Sequence, residues 1–560
     1  MDNLRIFLWV GLLMLIWLSV QTWQRTFAPA ATATDATTPA APAASTDGAG
    51  PAPPAGSIPL PALPAAGTSA PPTLNSAGEP SLVAPPSANL IGVRTDVLDL
   101  AIDTRGGNIV EARLPTYPIH KDQPDVAVEL LSSAPERYFA FQGGLRAADG
   151  QPEANHLAAY TATATEFALA PGDDELTVPL RWESDTGLVV TKTYLFRPGN
   201  FRIGLEYSVQ NNGTQPYNAA EYLQFQRVFT PHKQSMFDVD SYSFNGPVAY
   251  NGEKYQKIDV EDLAEIPFSQ SVAQGWFAAI QHHFLAAAVP PGTEIWQYEG
   301  RFIDGKFLLS AIGPLQAIPP GGSATFSSQL FVGPKLQKQL TATAPGLERA
   351  VDYGRLTILA QPMFWLLDKV HGVVHNWGVA IILVTFLIKL VFYKLSETSG
   401  RSMAGMRKLQ PRMKALQERY KDDRQAMSTA LMELYKKEKI NPAAGCLPML
   451  VQIPFFISFY WVLLESVEMR QAPFALWITD LSSKDPFFIL PLLMGAAMFL
   501  QQKLNPPPPD PVQAKMMQIM PVVFTGFFAF FPAGLVLYWL TNSVLSIAQQ
   551  WRINKVLGAD

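Results

Sequence analysis

One basic side chain stands inside an apolar stretch of this 560-residue chain: Lys389, in the run VTFLIKLVFY. A lysine near the middle of a bilayer costs about 2.5 to 3.5 kcal/mol on insertion scales, so partners are needed to offset that cost. Thr385 lies one helical turn earlier on the same face. Gln452 and residues 541–546 place further polar groups in two other apolar segments. If these groups converge, they form a wet groove; the alternative is a lysine that snorkels to the headgroups.

The same apolar segments lack side chains suited to catalysis. No histidine follows His375, and no aspartate lies in the apolar segments after it. These segments therefore lack the catalytic residues of an intramembrane protease of the Ser/His or paired-Asp type. Glu465 and Glu468 lie at one end of their segment, which offers little to a proton-coupled transporter. Glycine-rich phosphate loops are missing as well. We therefore predict a protein that is not an enzyme and that uses no cofactor.

Metal and redox motifs are weak throughout the chain. Cys446 is the only cysteine, so the chain has neither a disulfide framework nor a Cys-type zinc site. His282 and His283 are neighbours on a predicted strand and point to opposite faces. His371 and His375 have helical i, i+4 spacing, but the polar face of an interfacial helix explains them without a metal. We expect no metal site.

The elements that must position the polar groups fall into two bodies. The chain is 48% hydrophobic and only 16% charged, and its apolar runs cluster at the N-terminus and after residue 376, as in a membrane protein with a soluble insert. Residues 1–27 predict a transmembrane anchor, with a cleaved signal peptide as the alternative. Residues 28–90 are rich in Pro and Ala, contain no Lys, Arg, Trp or Tyr, and predict a disordered linker.

Residues 91–345 predict a large antiparallel β-sandwich. The segment LVVTKTYLFRPGNFRIGLEYSVQ alternates apolar and polar residues on both sides of a Pro-Gly-Asn turn, and VLDLAIDTRGGNIVEARL repeats the pattern around two glycines. Many short strands with such turns are typical of a sandwich. Residues 354–375 have one apolar and one polar side and predict an amphipathic helix in the membrane interface.

Five further spans follow, which with the anchor makes six. They are predicted at residues 376–394, 446–467, 486–503, 515–532 and 534–551, with a loop at 504–514 and a short tail at 552–560. Residues 395–441 carry apolar side chains at three- and four-residue steps and predict an antiparallel helical hairpin. We expect Asp422 or Asp423 to cap its second helix and Pro411 to kink or restart its first.

Charge predicts the orientation. Residues 394–439 contain twelve Lys and Arg against six Asp and Glu, whereas residues 468–485 contain two basic residues. The positive-inside rule then makes the hairpin and both termini cytoplasmic and the sandwich periplasmic. The basic side chains of the hairpin are either a solvated face or a docking surface. The candidate docking residues are Arg407, Lys408, Arg412, Lys414 and Arg419.

The span KMMQIMPVVFTGFFAFFP is rich in methionine and phenylalanine. Flexible, polarisable side chains suit contact with varied helical clients, although plain lipid contact explains them too. The predicted sliding surface consists of Met516, Met520, Phe524, Phe527 and Phe528. Several spans have about 17 residues, or roughly 25 Å against about 30 Å of hydrocarbon, so we expect the bilayer to thin around them.

Long ordered segments resemble the YidC family of bacterial membrane protein insertases, whose relatives work in mitochondrial and chloroplast membranes. They cover residues 331 to 550 nearly continuously. The segments are NWGVAIILVTF, MRKLQPRMKALQERYKDD, LYKKEKINPAAGCLPMLVQIPFF, SVEMRQAPFALWITDLSSKDPFFILPLLMG and FPAGLVLYWLTN, with LFVGPK closing the sandwich.

The resemblance implies a multi-domain membrane protein: a polytopic α-helical bundle of six transmembrane helices plus a large periplasmic antiparallel β-supersandwich of the type seen in sugar mutarotases. It also implies a hydrophilic groove that opens to the cytoplasm. Lys389 stands where family members usually carry Arg, and the short tail lacks the basic extension that some relatives have. The candidate groove residues are Lys389, Thr385, Gln452, Tyr538, Trp539 and Asn542.

The function implied is that of an insertase and assembly chaperone in the bacterial inner membrane. It would move hydrophobic segments of nascent proteins through the groove, alone or with the Sec translocon and its accessory subunits. A ribosome or targeting receptor would contact the cytoplasmic loops, and we expect no direct nucleic-acid specificity. A polytopic channel or transporter with a periplasmic binding domain, and a mutarotase-like enzyme, are the rival classes.

Overall fold

A computed structural model describes residues 90–148, 150–231, 243–292, 294–420, 423–438, 447–504 and 511–557. The predicted anchor, and the predicted linker up to residue 89, lie outside this part of the chain.

The alternating segments form two facing sheets. The first sheet, in spatial order, contains β14 (Phe268–Val272), β17 (Trp296–Ile303), β18 (Lys306–Ile312), β11 (Tyr217–Val228), β5 (Phe139–Ala147), β3 (Asn108–Pro118), β2 (Asp99–Asp103), β1 (Leu90–Arg94) and β7 (Glu166–Ala168), with β4 (Ala127–Leu131) beside β3 and β19 (Gln316–Ile318) beside β11. The second contains β13 (Tyr255–Lys257), β12 (Gly246–Tyr250), β15 (Trp276–Ile280), β16 (Phe284–Val289), β20 (Ser323–Pro334), β10 (Arg202–Asn211), β9 (Leu188–Phe196), β8 (Leu176–Glu183) and β6 (Thr161–Ala162). Of the recorded strand pairings only that of β1 with β7 is parallel. The expected antiparallel sandwich is present.

Strands β9 and β10 show how the sequence pattern becomes a core. They pair in register, with Tyr194 opposite Leu205, and every second side chain is buried between the sheets. Gly199 takes a positive φ of 66° in the turn between them, a conformation that costs glycine little. Lys192 is an exception to the apolar pattern, since it is fully buried at an inward position.

Lys192 remains in the core because its ammonium is satisfied there. The Nζ atom donates to the carbonyl oxygens of Gly106 and Gly143, each at 2.9 Å, and lies 5.4 Å from the ring centroids of Tyr194 and Tyr207. A buried cation without such partners would be strongly unfavourable. Burial lowers the pKa of this lysine to about 7, against the opposing charge of Glu221.

The helices follow the strands along the chain, apart from one short helix. They are α1 (Val260–Glu265), α2 (Gln337–Thr343), α3 (Thr357–Val374), α4 (Trp377–Val391), α5 (Tyr393–Arg419), α6 (Arg424–Lys437), α7 (Leu447–Glu465), α8 (Ile489–Leu504), α9 (Pro511–Phe528) and α10 (Ala533–Leu557). Buried apolar residues of the sandwich and of the helices form one continuous cluster. The two predicted bodies are therefore packed against each other.

Local polar groups define several helix ends. The Asn376 side chain accepts from the Val379 N–H at 3.0 Å and begins α4, and Asp423 accepts from Gln425 and Ala426 and begins α6. Pro411 does not restart the helix, because α5 continues on both sides of it; a kink at this residue stays a prediction. The lost hydrogen bond does not end the helix, since α5 also packs against α6 and α10.

Within the described residues no single helix is both long and apolar enough to cross a membrane. Helix α4 and the first part of α5, Tyr393–Ser402, satisfy both conditions only as a pair, and they meet at 63°. The six-span count thus stays a prediction.

Candidate substrate groove

Lys389 occupies the last turn of α4, where its side chain turns toward the neighbouring helix α10. Its Nζ atom donates to Ser546 Oγ at 2.8 Å, and Ser546 Oγ donates to the Asn542 carbonyl oxygen at 2.7 Å. Thr385, one turn before Lys389, is buried and donates to the Ile381 carbonyl at 2.6 Å. The serine therefore both accepts from the ammonium and is itself oriented by its own helix.

A second polar link joins α7 to α10. Gln452 Nε2 donates to Asn542 Oδ1 at 2.6 Å. Because Asn542 and Ser546 are one helical turn apart, Lys389 and Gln452 approach the same face of α10 from two other helices. Groups that are far apart in sequence converge here, as the groove hypothesis requires.

These groups border a small, partly open cavity of about 20 Å³, roughly enough room for one water molecule. Five of the six candidate groove residues line it, the exception being Trp539. The full lining is Thr385, Ile388, Lys389, Phe392, Leu395, Ser396, Val451, Gln452, Phe455, Tyr538 and Asn542. One cation, two amides and hydroxyl groups thus face a space whose remaining walls are apolar.

Trp539 lies on α10, on the side that does not line the cavity. Its ring meets Phe456 edge-on, with centroids 4.3 Å apart, and packs on Phe528 at 5.2 Å. The side chain therefore fills the contact between α7, α9 and α10. In this structure it supports the cavity and does not line it.

The opposite end of the bundle is covered by loops. Asp485 is buried, accepts from the Leu490 N–H at 2.7 Å and from Trp477 Nε1 at 3.0 Å, and so anchors the loop before α8. Gly534 N–H donates to the Leu481 carbonyl at 2.9 Å, which holds the start of α10 under the same loop. These loops close the end of the bundle at which α8 and α10 begin.

The predicted sliding surface on α9 is only partly exposed. Met516, Met520 and Phe527 are exposed and Phe524 packs against the core at its edge. Phe528 is only 4% exposed and packs on Trp539, so its assignment to this surface is wrong. The Met and Phe pattern indicated an adaptable helix, but the sequence did not show which side meets α10.

The hairpin of α5 and α6 has a small core of its own, formed by Leu409, Met413 and Tyr435. Lys408, Lys414 and Arg419 are exposed, and Arg412 Nη1 lies 2.6 Å from Glu438 Oε1 across the hairpin. The side chain of Arg407 lies outside the described part of the structure. The four described basic residues are compatible with either a solvated face or a docking surface.

Each of the two histidine pairs takes part in a ring contact. In the described part of the chain no group of three or more His, Cys, Asp or Glu side chains is placed to hold an ion. The His371 ring stacks on Trp377 with centroids 3.8 Å apart and planes 4° apart, and His282 stacks on His283 at 3.7 Å.

Two buried charged features were not predicted from the sequence. Lys192 lies inside the sandwich, and Lys335 lies 3.9 Å from Glu465 where the sandwich meets α7. An acidic residue at the end of an apolar helix was a signal for the second, but nothing in the sequence identified its partner.

Comparison with known proteins gives two family models that together match almost all of the described chain. The 60Kd inner membrane protein model matches residues 369–559, and the YidC periplasmic domain model matches residues 90–366. A membrane protein insertase YidC of Thioalkalivibrio sulfidiphilus is 49% identical over 568 residues, covering 99% of this chain and 98% of that protein. One from Nitrosococcus oceani is 45% identical, covering 99% of both. A solved structure of an active YidC insertase aligns with 82% of this chain and 92% of its own, at 19% identity and a TM-score of 0.37.

Proposed function

We propose a mechanism for this chain from the fact that it belongs to the YidC family of membrane protein insertases. It is an inner-membrane protein with a periplasmic domain, and it acts as an insertase and not as a catalytic enzyme. The observation that carries the mechanism is the cavity bordered by Lys389, Gln452 and Asn542.

The groove replaces water for the polar part of a client. Moving an unpaired polar group from water into an apolar environment costs roughly 2 to 7 kcal/mol, and hydrogen-bond partners remove most of that cost. Lys389 and Gln452 offer such partners in a space shielded from the bilayer. A carboxylate or carbonyl oxygen of the client competes with Ser546 for the Lys389 ammonium, so entry exchanges one hydrogen bond for another.

The apolar part of the client takes a second route. It leaves the groove between α7 and α9 and slides along α9, over the exposed side chains of Met516, Met520 and Phe527 and the half-buried Phe524. Six spans, of which several are short, thin the bilayer locally and shorten this path. In this arrangement the hairpin and both termini are cytoplasmic and the sandwich is periplasmic.

The partners follow from the same arrangement. Nascent membrane proteins are the clients, and the exposed basic residues of the hairpin offer docking to an acidic surface of a ribosome or a targeting receptor. We also propose that this chain inserts some clients together with the Sec translocon.

Site-specific photocrosslinking tests the route. A photoreactive residue at Gln452 or at Lys389 should crosslink to a stalled nascent chain with a short apolar segment. The matched control is Val391, which is exposed on the same helix as Lys389 but does not line the cavity. Equal crosslinking from Val391 and Gln452, or none from Gln452, would contradict the groove.

A further inference from the structure

A buried ion pair joins the sandwich to the end of α7. Lys335 follows the last strand, β20, and Glu465 is the last residue of α7. The Lys335 Nζ and Glu465 Oε2 atoms are 3.9 Å apart, and the two side chains are only 1% and 4% exposed. Both charges have therefore been removed from water at the contact between the two bodies.

Other groups of the sandwich complete the surroundings of this pair. Ser243 Oγ donates to Glu465 Oε1 at 2.7 Å, and the His282 ring Nε2 lies 2.9 Å from the Leu464 carbonyl oxygen. The Lys335 N–H donates to the His283 carbonyl at 2.9 Å, which ties the lysine to the turn between β15 and β16. Three separate parts of the sandwich thus hold the last turn of α7.

The segment directly after α7 is held by a fourth part. Arg470 Nη2 donates to the carbonyls of Pro118 and Ile119 at 2.7 and 3.1 Å, and Gln471 Nε2 donates to Pro118 at 2.9 Å. The Arg470 guanidinium also lies 5.4 Å from the ring centroid of Phe284. The contacts continue from the helix end into its loop, so the helix cannot rotate or slide without breaking several of them.

A buried ion pair is suited to fixing a position. The attraction between the ions roughly balances the cost of removing both from water, so such a pair adds little net stability when intact, whereas an unpaired partner is strongly unfavourable. Burial lowers the pKa of Lys335, and the Glu465 charge opposes that shift. A displaced α7 would leave both charges buried without partners, and this penalty selects one placement of the helix.

We propose that the sandwich positions α7, and through it Gln452, by means of the buried contact between Lys335 and Glu465. The two ends of α7 are coupled because Gln452 and Glu465 lie on one helix, about 20 Å apart at 1.5 Å per residue. Lys335 and Glu465 are positioning residues: they touch no client, and they act through the link between Gln452 and Asn542. The inference rests on the proposed groove function.

The test measures the position of α7 directly. Spin labels at the exposed residues Ile453 on α7 and Val544 on α10, in a Cys446→Ser chain, report the distance between the two helices. The full chain in nanodiscs carries Glu465→Gln, Lys335→Met, the double change, or the exchange Lys335→Glu with Glu465→Lys. Lys338→Met is the matched control, because Lys338 pairs with Asp368 at 3.1 Å but its side chain is 84% exposed.

We expect each single change to broaden the distance distribution and to lower client insertion several-fold. The double change, which leaves no unpaired charge, should restore a narrow distribution, and Lys338→Met should match the parent. If a single variant does not fold, the double and exchanged chains still test the pair, because both should give a narrow distance distribution like that of the parent.

Two results would overturn the inference. One is a parent-like distribution in Glu465→Gln; the other is equal broadening in the single and double variants, which would mean that the charges do not act as a pair. Failure of the groove itself would look different, since crosslinking from Gln452 to a nascent chain would then be missing in the parent chain as well.

Discussion

At the scale of the residue, the proposed groove contains one ammonium that is held by a hydroxyl. Lys389 donates to Ser546, so its charge is placed at the cavity wall. Lysine offers a point charge and lacks the two-pronged geometry of arginine. We therefore expect charge, and not guanidinium shape, to be what the proposed groove requires.

Changes at Lys389 test that conclusion. We expect Lys389→Arg to retain insertion of a short client and Lys389→Ala to lose about ten- to a hundredfold, as for the loss of a hydrogen bond to a charged group worth about 1.5 to 3 kcal/mol. Ser546→Ala should lie between them, since the charge remains but its position is lost. Insertion into proteoliposomes is the measurement, and full activity of Lys389→Ala would refute the role of the charge.

His156 makes the sandwich sensitive to acid. Burial lowers its pKa to about 3, and the charges of Lys192, Arg105 and Arg146 add to the shift. The Tyr222 hydroxyl accepts from the His156 backbone N–H at 2.8 Å and also lies 2.6 Å from the ring Nδ1. The folded protein therefore holds this ring neutral.

Stability should fall as pH decreases below about 6.5. Below about pH 6.5 the unfolded chain binds a proton at His156, whereas the folded chain does not bind it until about pH 3. The contribution of His156 to the free energy of unfolding is therefore fully present above pH 6.5 and is lost as the pH falls toward 3. At pH 4.5 the loss is about 2 to 3 kcal/mol relative to pH 7.5. His156→Asn keeps an acceptor near Nδ1 without titrating, and thermal unfolding at both pH values should show a smaller difference for it. An identical difference in both chains would argue against His156 as the source.

At the scale of the element, α8 and α9 touch at a glycine. A Cβ atom at Gly495 would overlap Thr525 Oγ1. Close approach of the two helices leaves the outer side of α9 exposed and packs its inner side, with Phe528, on Trp539. The shape of the predicted client surface thus depends on a residue that does not belong to it.

Substitution at Gly495 should separate the two helices. Gly495→Ala is expected to destabilise the bundle by about 1 to 3 kcal/mol, the usual cost of overpacking. Adding Thr525→Ala removes the overlapping oxygen and leaves its Cβ at 3.2 Å, so it should recover part of the loss. Thermal unfolding in detergent measures both, with Thr525→Ala alone as the control; a Gly495→Ala chain as stable as the parent would show that α9 adjusts freely.

At the scale of the whole molecule, the sandwich and the bundle share one core, while the outer part of the hairpin has a core of its own. The start of α5 lines the cavity with Leu395 and Ser396, but the exposed basic residues lie further along the hairpin. Lys408, Lys414 and Arg419 are exposed, and Arg412 is engaged with Glu438.

Reversing hairpin charges tests the docking proposal. Lys408→Glu with Lys414→Glu should weaken binding of translating ribosomes or of a targeting receptor severalfold at low salt and less at high salt, because exposed charges are screened. Lys306→Glu in the sandwich is a control that should have no effect. Crosslinking from Gln452 to a preloaded client should stay unchanged, and unaltered ribosome and receptor binding would leave the basic face as a solvated one.

The sequence by itself determined the kinds of element. Alternation produced the strands around Gly199, apolar runs produced the helices of the second half, and the charge of Lys389 marked one wall of the cavity. These features are local, because the period of a pattern states which face of a segment is apolar. The resemblance in segments such as FPAGLVLYWLTN identified the family, and the matching relatives bear this out.

Only the tertiary structure decided which faces meet. It brought Lys389, Gln452 and Asn542 together from three helices, buried Phe528 against Trp539, and paired Lys335 with Glu465 across 130 residues. A pattern of period 3.6 or 2 contains no information about the partner of a face, and a buried charge is favourable or costly only through that partner. The groove and the contact between sandwich and bundle therefore had to be read from the folded chain.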